Sequence, residues 1–230
     1  MRLNRSLTLL LAMAGLAAAG SAGPLETARD RQDVPALEKA LADASDRAAK
    51  SPNDADAQYR MALAASYLAE VKIEQRDRKG ARPIAERGIQ AAEKAVALKP
   101  ASAEYYRVLA TLYGQAVTDL LTGLSYGPKA KDAVNKAVEK APGTASVYVA
   151  RGVGNYYLPA QLGGGPKVAI PDFRKAIQLD PKNAEAWLWL GIALRQDKQD
   201  AEARQAFEKS LAFNPDRVWT KQQLEKTPAK

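Results

Sequence analysis

Five segments of the chain end in the same way, and this repetition limits the possible folds more than any other feature. Each ending contains a proline between polar or small residues, and the five read KSPND, LKPAS, KAPGT, LDPKN and FNPDR around Pro52, Pro100, Pro142, Pro181 and Pro215. Successive prolines are 48, 42, 39 and 34 residues apart. Self-similarity at periods of about 20–50 residues is typical of solenoids, in which each repeat packs on its neighbours.

The last unit has no insertion, so it sets the register of the repeat. Counted from Ala184, the key positions 4, 7, 8, 20, 24 and 32 hold Trp187, Leu190, Gly191, Ala203, Phe207 and Pro215. This pattern is similar to the consensus of the tetratricopeptide repeat (TPR) family. Two positions depart from it, because Leu194 replaces a tyrosine at position 11 and Ser210 replaces an alanine at position 27. The resemblance extends over about residues 54–215.

The repeated positions have a direct physical meaning. Gly191 and Ala203 are small, so the two helices of a hairpin can approach closely, and the large side chains of Trp187 and Phe207 then fill the space between hairpins. Pro215 ends the second helix, because proline cannot supply the N–H group that a helix needs. The resemblance therefore implies an all-α fold, an α-solenoid of about four TPR helix hairpins.

The solenoid is expected to occupy residues 54–215, with other elements on both sides. Residues 23–53 are predicted to form an N-terminal capping helix, since apolar residues recur along one helical face at Leu37, Leu41, Ala44 and Ala48. Residues 216–230 are predicted to form a C-terminal capping helix and tail, with Asp216 as N-cap. Solenoids need such polar-backed caps for solubility.

The spacings above 34 residues imply insertions between the two helices of the first three hairpins. The inserted stretches contain Lys79-Gly80, Gly127-Pro128-Lys129 and the run from Gly163 to Lys167. Gly and Pro at these places predict turns, since Gly tolerates positive φ and Pro opens helices. Equivalent insertions emerge on one face of a solenoid, so they form either a docking edge or simply longer helices that pack on each other.

The first 22 residues have the three-part pattern of a secretory signal peptide. Arg2 and Arg5 precede an uncharged stretch from Leu7 to Ala19, and Gly20 and Ala22 provide small residues for cleavage after residue 22. An apolar helix of this length spans about 20 Å, less than a bilayer core of about 30 Å. An uncleaved anchor is the alternative. Cleavage predicts a periplasmic or secreted protein that is not stably inserted in the membrane.

Composition excludes most kinds of chemistry. The chain has no cysteine and no histidine. Without histidine it lacks the commonest general base and the commonest transition-metal ligand. Without cysteine it lacks a thiolate nucleophile, and a lipid anchor on cysteine is impossible. We expect no metal site, no cofactor, no catalytic residue and no enzymatic activity. The net charge of +8 is modest for 230 residues, and without a dense basic block it does not predict a nucleic-acid partner.

Tyrosine and arginine mark the candidate binding site. In TPR proteins the first helices line a concave groove, and six residues fall at its lining positions: Tyr59, Tyr67, Arg107, Tyr156, Tyr157 and Arg195. An aromatic groove edged by arginine suits an extended peptide, because tyrosine combines a large contact area with a polar tip. Alternatively, the lengthened helices bury these rings against one another.

The resemblance implies a protein-interaction module, so the expected partner is a protein or peptide in the cell envelope. A weaker resemblance leads to an alternative function. TPR units with lengthened hairpins are also similar to the T-component of TRAP transporters, which would make the chain a ligand-binding accessory of a transporter. Those components are usually lipoproteins, whereas this chain has no cysteine to carry the lipid. The sequence does not identify the partner or the oligomeric state.

Overall fold

The computed structural model describes residues 23–229, and within this range the regular structure consists of 11 α-helices and one short 3₁₀ helix. The predicted signal peptide lies outside the described residues. The helices are α1 Pro24–Asp30, α2 Val34–Lys50, α3 Ala55–Glu74, α4 Arg78–Leu98, α5 Ala103–Gln115, α6 Leu120–Lys140, α7 Ala145–Tyr157, α8 Pro166–Leu179, α9 Ala184–Gln196, α10 Asp200–Phe213 and α11 Val218–Glu225.

Each repeated proline follows the end of a helix, and the residue two positions after it is the N-cap of the next helix. These N-cap positions hold Asp54, Ser102, Thr144 and Asn183. The side chains of Asp54, Ser102 and Asn183 accept hydrogen bonds from backbone N–H groups of the first turn. Such caps satisfy donors that have no partner inside the helix, typically worth about 1 kcal/mol each.

Four helix hairpins form the solenoid, namely α3–α4, α5–α6, α7–α8 and α9–α10. Consecutive first helices pack against one another along the series α3, α5, α7 and α9, whereas each second helix packs mainly on the first helices on either side of it. The first helices therefore lie closer together and form the inner surface of the solenoid. This arrangement confirms the predicted all-α solenoid of four hairpins.

Glycines at position 8 let the paired helices approach closely, as predicted. A Cβ atom at Gly191 would lie 2.6 Å from a ring carbon of Phe207, and one at Gly152 would lie 2.5 Å from a ring carbon of Phe173. Both phenylalanine rings are fully buried. Trp187 differs from expectation, because it is only partly buried and its Nε1 donates a hydrogen bond of 2.9 Å to the Pro181 carbonyl at the surface.

Two of the three predicted turns are instead helical. Lys79 and Gly80 lie in the first turn of α4, and Gly127 to Lys129 lie inside α6. Both helices start earlier than predicted because an aspartate caps each one, Asp77 at α4 and Asp119 at α6. Of the three predicted turn sites, only the third is a turn, where Gly163 and Gly165 have φ of 80° and 109°.

The chain ends also differ in detail from the sequence prediction. Residues 23–53 contain two helices, since a tight turn at Gln32 with φ of 55° separates α1 from α2. Helix α2 packs on α3 beside the first hairpin. At the other end, α11 has Arg217 at its N-cap position, one residue after the predicted Asp216, and its side chain makes no capping hydrogen bond.

Candidate functional site

Helix α1 lies against the inner surface of the solenoid. The side chains of Leu25 and Ala28 pack into the same apolar core as residues of α3. The Arg29 guanidinium lies over the ring of Tyr67 on α3, 4.9 Å from the ring centre, and its Nη2 is 3.3 Å from Oε1 of Glu185 on α9. The short N-terminal helix thus bridges the first and the last hairpin.

Arg217 closes the solenoid on itself from the other end of the chain. Its Nη2 lies 2.6 Å from Oε1 of Glu70 and 2.6 Å from Oε1 of Glu74, both on α3. Its Nε donates a 3.0 Å hydrogen bond to Oε1 of Glu185 on α9. The Arg217 side chain is only 1% exposed. The connection between α10 and α11 is therefore bonded to the first hairpin, across the full length of the repeat array.

Further polar contacts join the same group. Asp30 accepts hydrogen bonds from Arg29 and from Asn214, the latter at 2.8 Å, and Gln32 donates to Glu74 at 2.8 Å. We call the charged members of this group the Arg217 cluster: Arg29, Asp30, Glu70, Glu74, Glu185 and Arg217. Two guanidinium groups and four carboxyl groups meet there. Among residues 23–229 no group of carboxyl side chains is arranged to hold a metal ion, and three of the carboxyls here contact the guanidinium of Arg217 directly.

Burial and neighbouring charges shift the pKa values of three carboxyl groups in the Arg217 cluster. Burial raises the pKa of Glu70 to about 7, although Arg217 and Arg29 act in the opposite direction. Burial also raises the pKa of Glu74. At Glu185 burial favours the neutral acid, but the attraction of Arg217 and Arg29 outweighs it, so its pKa is lowered. The cluster therefore holds its arginines charged, while Glu70 can take up a proton near neutral pH.

The first group of predicted site residues is engaged within the chain. The Tyr59 hydroxyl donates to Oε1 of Glu104 at 2.9 Å, and its ring stacks on Tyr105 with the ring centres 4.8 Å apart. Arg107 donates to the same Glu104 carboxylate through Nε at 2.7 Å and Nη2 at 2.6 Å. Tyr67 is covered by Arg29 of α1. An open cleft of about 410 Å³ between α1 and α3 borders Tyr59.

The second group contains the more accessible aromatic surface. Tyr156 and Tyr157, at the end of α7, meet edge to face with ring centres 5.0 Å apart. Both also contact Trp189 of α9 at 6.0 Å, and Trp189 contacts Trp219 of α11 at 5.3 Å. We call these four residues the Tyr157 cluster. Tyr157 is 50% exposed, and the guanidinium of Arg78 lies 5.7 Å from its ring centre.

Arg195 is bonded to the C-terminal helix. Its Nη1 donates to the Gln223 carbonyl at 3.1 Å and its Nη2 donates to the Gln223 side chain at 2.6 Å. The structure thus gathers the six predicted residues into two groups, Tyr59 with Tyr67 and Arg107, and Tyr156 with Tyr157 and Arg195. The Arg217 cluster adjoins both groups, because Arg29 covers Tyr67 and the Arg217 guanidinium lies 5.6 Å from the ring centre of Trp219. Whether these residues bind a partner stays a prediction.

Sequence reasoning missed the Arg217 cluster, although one signal for it is present. The position two residues after each repeated proline holds Asp54, Ser102, Thr144 and Asn183 in the first four units. These are preferred N-cap residues, since each has an oxygen that can accept a hydrogen bond. The fifth unit has Arg217, which has no acceptor. An arginine at a capping position indicates a side chain that serves another purpose.

Comparisons with known proteins agree with this architecture. Residues 163–218 match the tetratricopeptide repeat family model. Among solved structures, the chain is similar to TTC0263, a thermophilic TPR protein of Thermus thermophilus, at 19% identity over 88% of this chain and 96% of that chain, with a TM-score of 0.63. A MamA protein structure matches at 19% identity over 85% and 90%, with a TM-score of 0.45. No curated protein matches the chain.

Proposed function

We propose that this chain, which carries tetratricopeptide repeats and has their solenoid fold, is a non-catalytic scaffold that binds a protein or peptide partner in the bacterial envelope. A TPR fold suggests a protein-interaction scaffold, and the Tyr157 cluster supplies the contact surface. The observation that carries the proposal is the half-exposed ring of Tyr157, held by aromatic neighbours beside Arg78.

The Tyr157 cluster has the properties of an interaction anchor. Tyr, Trp and Arg are the residues most enriched at interface positions that dominate binding energy. Tyr157 is held in place by Tyr156 and Trp189, so little further ordering of its side chain is needed on binding. The hydroxyl of tyrosine is uncharged at physiological pH, and burial raises the pKa of Tyr157 further, so this hydroxyl is a neutral hydrogen-bond donor. Arg78 beside it would attract an acidic side chain of the partner.

The other predicted groove residues already have partners inside the chain. Tyr59 and Arg107 share the carboxylate of Glu104, and α1 covers Tyr67 through Arg29. Binding at these positions would first require α1 or the Glu104 contacts to be displaced. The partner therefore makes its main contacts at the Tyr157 cluster, where no such displacement is needed.

Two observations support a role without catalysis. The chain lacks both cysteine and histidine. The buried carboxyl groups with raised pKa, Glu70 and Glu74, are in contact with Arg217 and belong to the contacts that close the solenoid. A shifted pKa at this place is explained by a structural ion-pair network.

The envelope location rests on the N-terminal sequence pattern. Cleavage after Ala22 would leave every described helix intact, because α1 begins at Pro24 with Gly23 as its N-cap. Mass spectrometry of the protein isolated from its native host should find an N-terminus within a few residues of Gly23. Recovery of the chain from the cytoplasm with Met1 intact would contradict export.

Site-specific photocrosslinking in the native host tests the binding surface. A photoreactive phenylalanine analogue replaces Tyr157 in one variant and Leu98 in a control variant, because Leu98 is a 43% exposed residue at the end of α4. We expect a discrete crosslinked adduct of defined mass at position 157 and none of the same mass at position 98. Adducts of the same mass from both positions, or from neither, would contradict the proposed surface.

A further inference from the structure

Within residues 23–229, most of the strongly exposed large apolar side chains lie at one edge of the solenoid. Leu120 and Leu121 are each 78% exposed and Leu124 is 65% exposed, all in the first two turns of α6. Leu162 and Val168, on either side of the start of α8, are exposed as well. Exposed apolar residues scattered singly are ordinary, but a group of this size in one place indicates an interaction surface.

The leucines are exposed because α6 is longer than the helices beside it. Helix α6 has 21 residues, whereas α5 and α7 have 13 each. The second half of α6 carries the buried residues Ala133, Val134 and Ala137, which hold it to the solenoid. Leu120, Leu121 and Leu124 lie within about 100° of one another around the helix axis, since each residue turns the helix by about 100°. They form one outward face.

Hairpin topology places this face beside two other connections. The first helices run in the same direction, so every connection from a first helix to its second helix lies at the same edge of the solenoid. We call the first three of these connections, together with the first turns of the second helices that follow them, the insert edge; it comprises residues 75–83, 117–131 and 158–168. It corresponds to the insertions that the repeat spacing predicts.

The insert edge is strongly basic. Its seven basic residues are Arg76, Arg78, Lys79, Arg82, Lys129, Lys131 and Lys167, against two acidic residues, Asp77 and Asp119. Both aspartates cap helices through backbone N–H groups, which offsets part of their charge. Two of the basic side chains are also paired, Arg82 with Glu86 and Lys167 with Asp197. The opposite edge is less basic, with five basic and three acidic residues, and one of the basic residues is the buried Arg217. This edge consists of the five proline-containing segments 50–54, 98–103, 140–144, 179–184 and 213–217.

We propose that the insert edge docks on the surface of a bilayer that contains anionic lipids. Lysine and arginine near such a surface are attracted to lipid phosphates, while leucines on a helix face enter the boundary between headgroups and acyl chains. Cations along three neighbouring connections suit a planar anionic surface. No helix between residues 23 and 229 is long and apolar enough to cross a membrane, so the proposed contact is peripheral.

Docking in this way has a consequence for the Tyr157 cluster. Arg78 belongs to the insert edge, and Tyr157 immediately precedes the segment that begins at residue 158. The bilayer would therefore hold the Tyr157 cluster close to its surface. This proposal stands on the leucines and the basic residues alone and does not require that a protein partner bind there.

A fluorescent label at the edge tests the proposal directly. The chain has no cysteine, so Ser125→Cys, next to Leu124, and Ala101→Cys, on the opposite edge, can each be labelled singly with an environment-sensitive dye. Vesicles of phosphatidylglycerol with phosphatidylethanolamine should increase and blue-shift the emission of the label at 125, and vesicles of phosphatidylcholine should not. The label at 101 should change little. These local readouts separate the edge from any membrane binding by the N-terminal residues.

A leucine variant completes the test. The variant carries the label at position 125 and combines Leu120→Ser, Leu121→Ser and Leu124→Ser. We expect it to need about tenfold or more lipid to reach the half-maximal change in fluorescence. The matched control Leu98→Ser should change this lipid concentration less than twofold, and thermal melts establish that both variants fold. No response at 125, or an equal response at 101, would overturn the proposal. A response that grows with protein concentration without lipid would overturn it in favour of pairing between two copies of the chain.

Discussion

Arg217 and Glu74 are 143 residues apart in the chain, yet their side chains meet in a fully buried ion pair with 2.6 Å between Nη2 and Oε1. In a solenoid each repeat normally contacts only its neighbours. Here the last connection is bonded to the first hairpin, and α1 adds Arg29 and Asp30 to the same cluster. The array is therefore closed, and its stability depends on long-range contacts as well as on neighbouring repeats.

Removing Arg217 should destabilise the fold strongly. Arg217→Met leaves Glu70, Glu74 and Glu185 without their shared cation, and breaking a buried ion pair typically costs about 3–5 kcal/mol. Chemical denaturation of the variant measures this loss. The control is Arg31→Ala, which breaks an exposed pair with Asp216 and should cost less than about 1 kcal/mol. Equal losses in both variants would show that the Arg217 cluster does not hold the ends together.

Glu70 should make stability fall as pH rises toward neutrality. Its pKa is 4.5 when unperturbed and about 7 in the folded protein, because burial disfavours the charged form. Between these values the folded state binds the extra proton, so raising the pH through this window removes stability. Glu70→Gln should make this slope shallower, although the raised pKa of Glu74 still contributes to it, and the variant should be more stable than wild type at pH 8, by at most about 3 kcal/mol.

The comparison requires denaturation curves of both proteins between pH 5 and pH 8. Below pH 5 the lowered pKa of Glu185 acts in the opposite direction, since that carboxylate loses its stabilising charge as the pH falls. If Glu70→Gln has the same pH slope as the wild-type protein, Glu70 does not titrate in this range.

Two glycines that look alike in sequence should respond oppositely to alanine. Gly191→Ala places a Cβ 2.6 Å from a ring carbon of Phe207, so the tightly packed pair must move apart, which typically costs about 1–3 kcal/mol. Gly154→Ala, on α7, meets no atom within 4 Å and should stabilise the protein by up to about 1 kcal/mol, since alanine favours helix. Thermal melting distinguishes the two. Destabilisation of equal size at both positions would contradict the close helix approach.

Truncating Phe207 should cost more than truncating Trp187. Phe207 is fully buried between α9 and α10, so Phe207→Ala should lose about 3–5 kcal/mol. From the sequence alone, the same loss of stability is expected for Trp187→Ala. In the structure the Trp187 ring is partly exposed, so we expect Trp187→Ala to lose less stability than Phe207→Ala. Denaturation of the two single variants ranks them. A larger loss at Trp187 would mean that its contacts with neighbouring hairpins matter more than its exposure indicates.

The repeat could be predicted from sequence because its signals are local. Prolines end helices, N-cap residues begin them, and Gly191 opposite Phe207 fixes how closely a hairpin packs. The two missed helix starts depended on Asp77 and Asp119, whose capping bonds extend α4 and α6 through Gly80 and Pro128. At these places a cap and a helix breaker compete, and residue type alone does not decide between them.

The candidate site was less predictable because it depends on how the ends of the chain meet. The positions of Tyr156 and Tyr157 in the repeat place them on a first helix, and the structure brings them together beside Trp189. The sequence does not show that α1 covers Tyr67 or that Arg195 is bonded to Gln223. These contacts join residues from distant segments, and no periodic pattern encodes them.

The affinity of a selected peptide for wild-type and Tyr157→Ala protein tests the proposed function most directly. The ligand is a peptide selected from a displayed library against the wild-type protein. Calorimetry measures its binding to the wild-type protein, to Tyr157→Ala and to the control Tyr148→Ala. Tyr148 is on the same helix as Tyr157 but outside the Tyr157 cluster. Tyr157 is half exposed, so its removal should change the unfolding free energy by only about 1 kcal/mol. We expect a loss of affinity of about twentyfold or more for Tyr157→Ala alone. Unchanged affinity in that variant would contradict the proposed function.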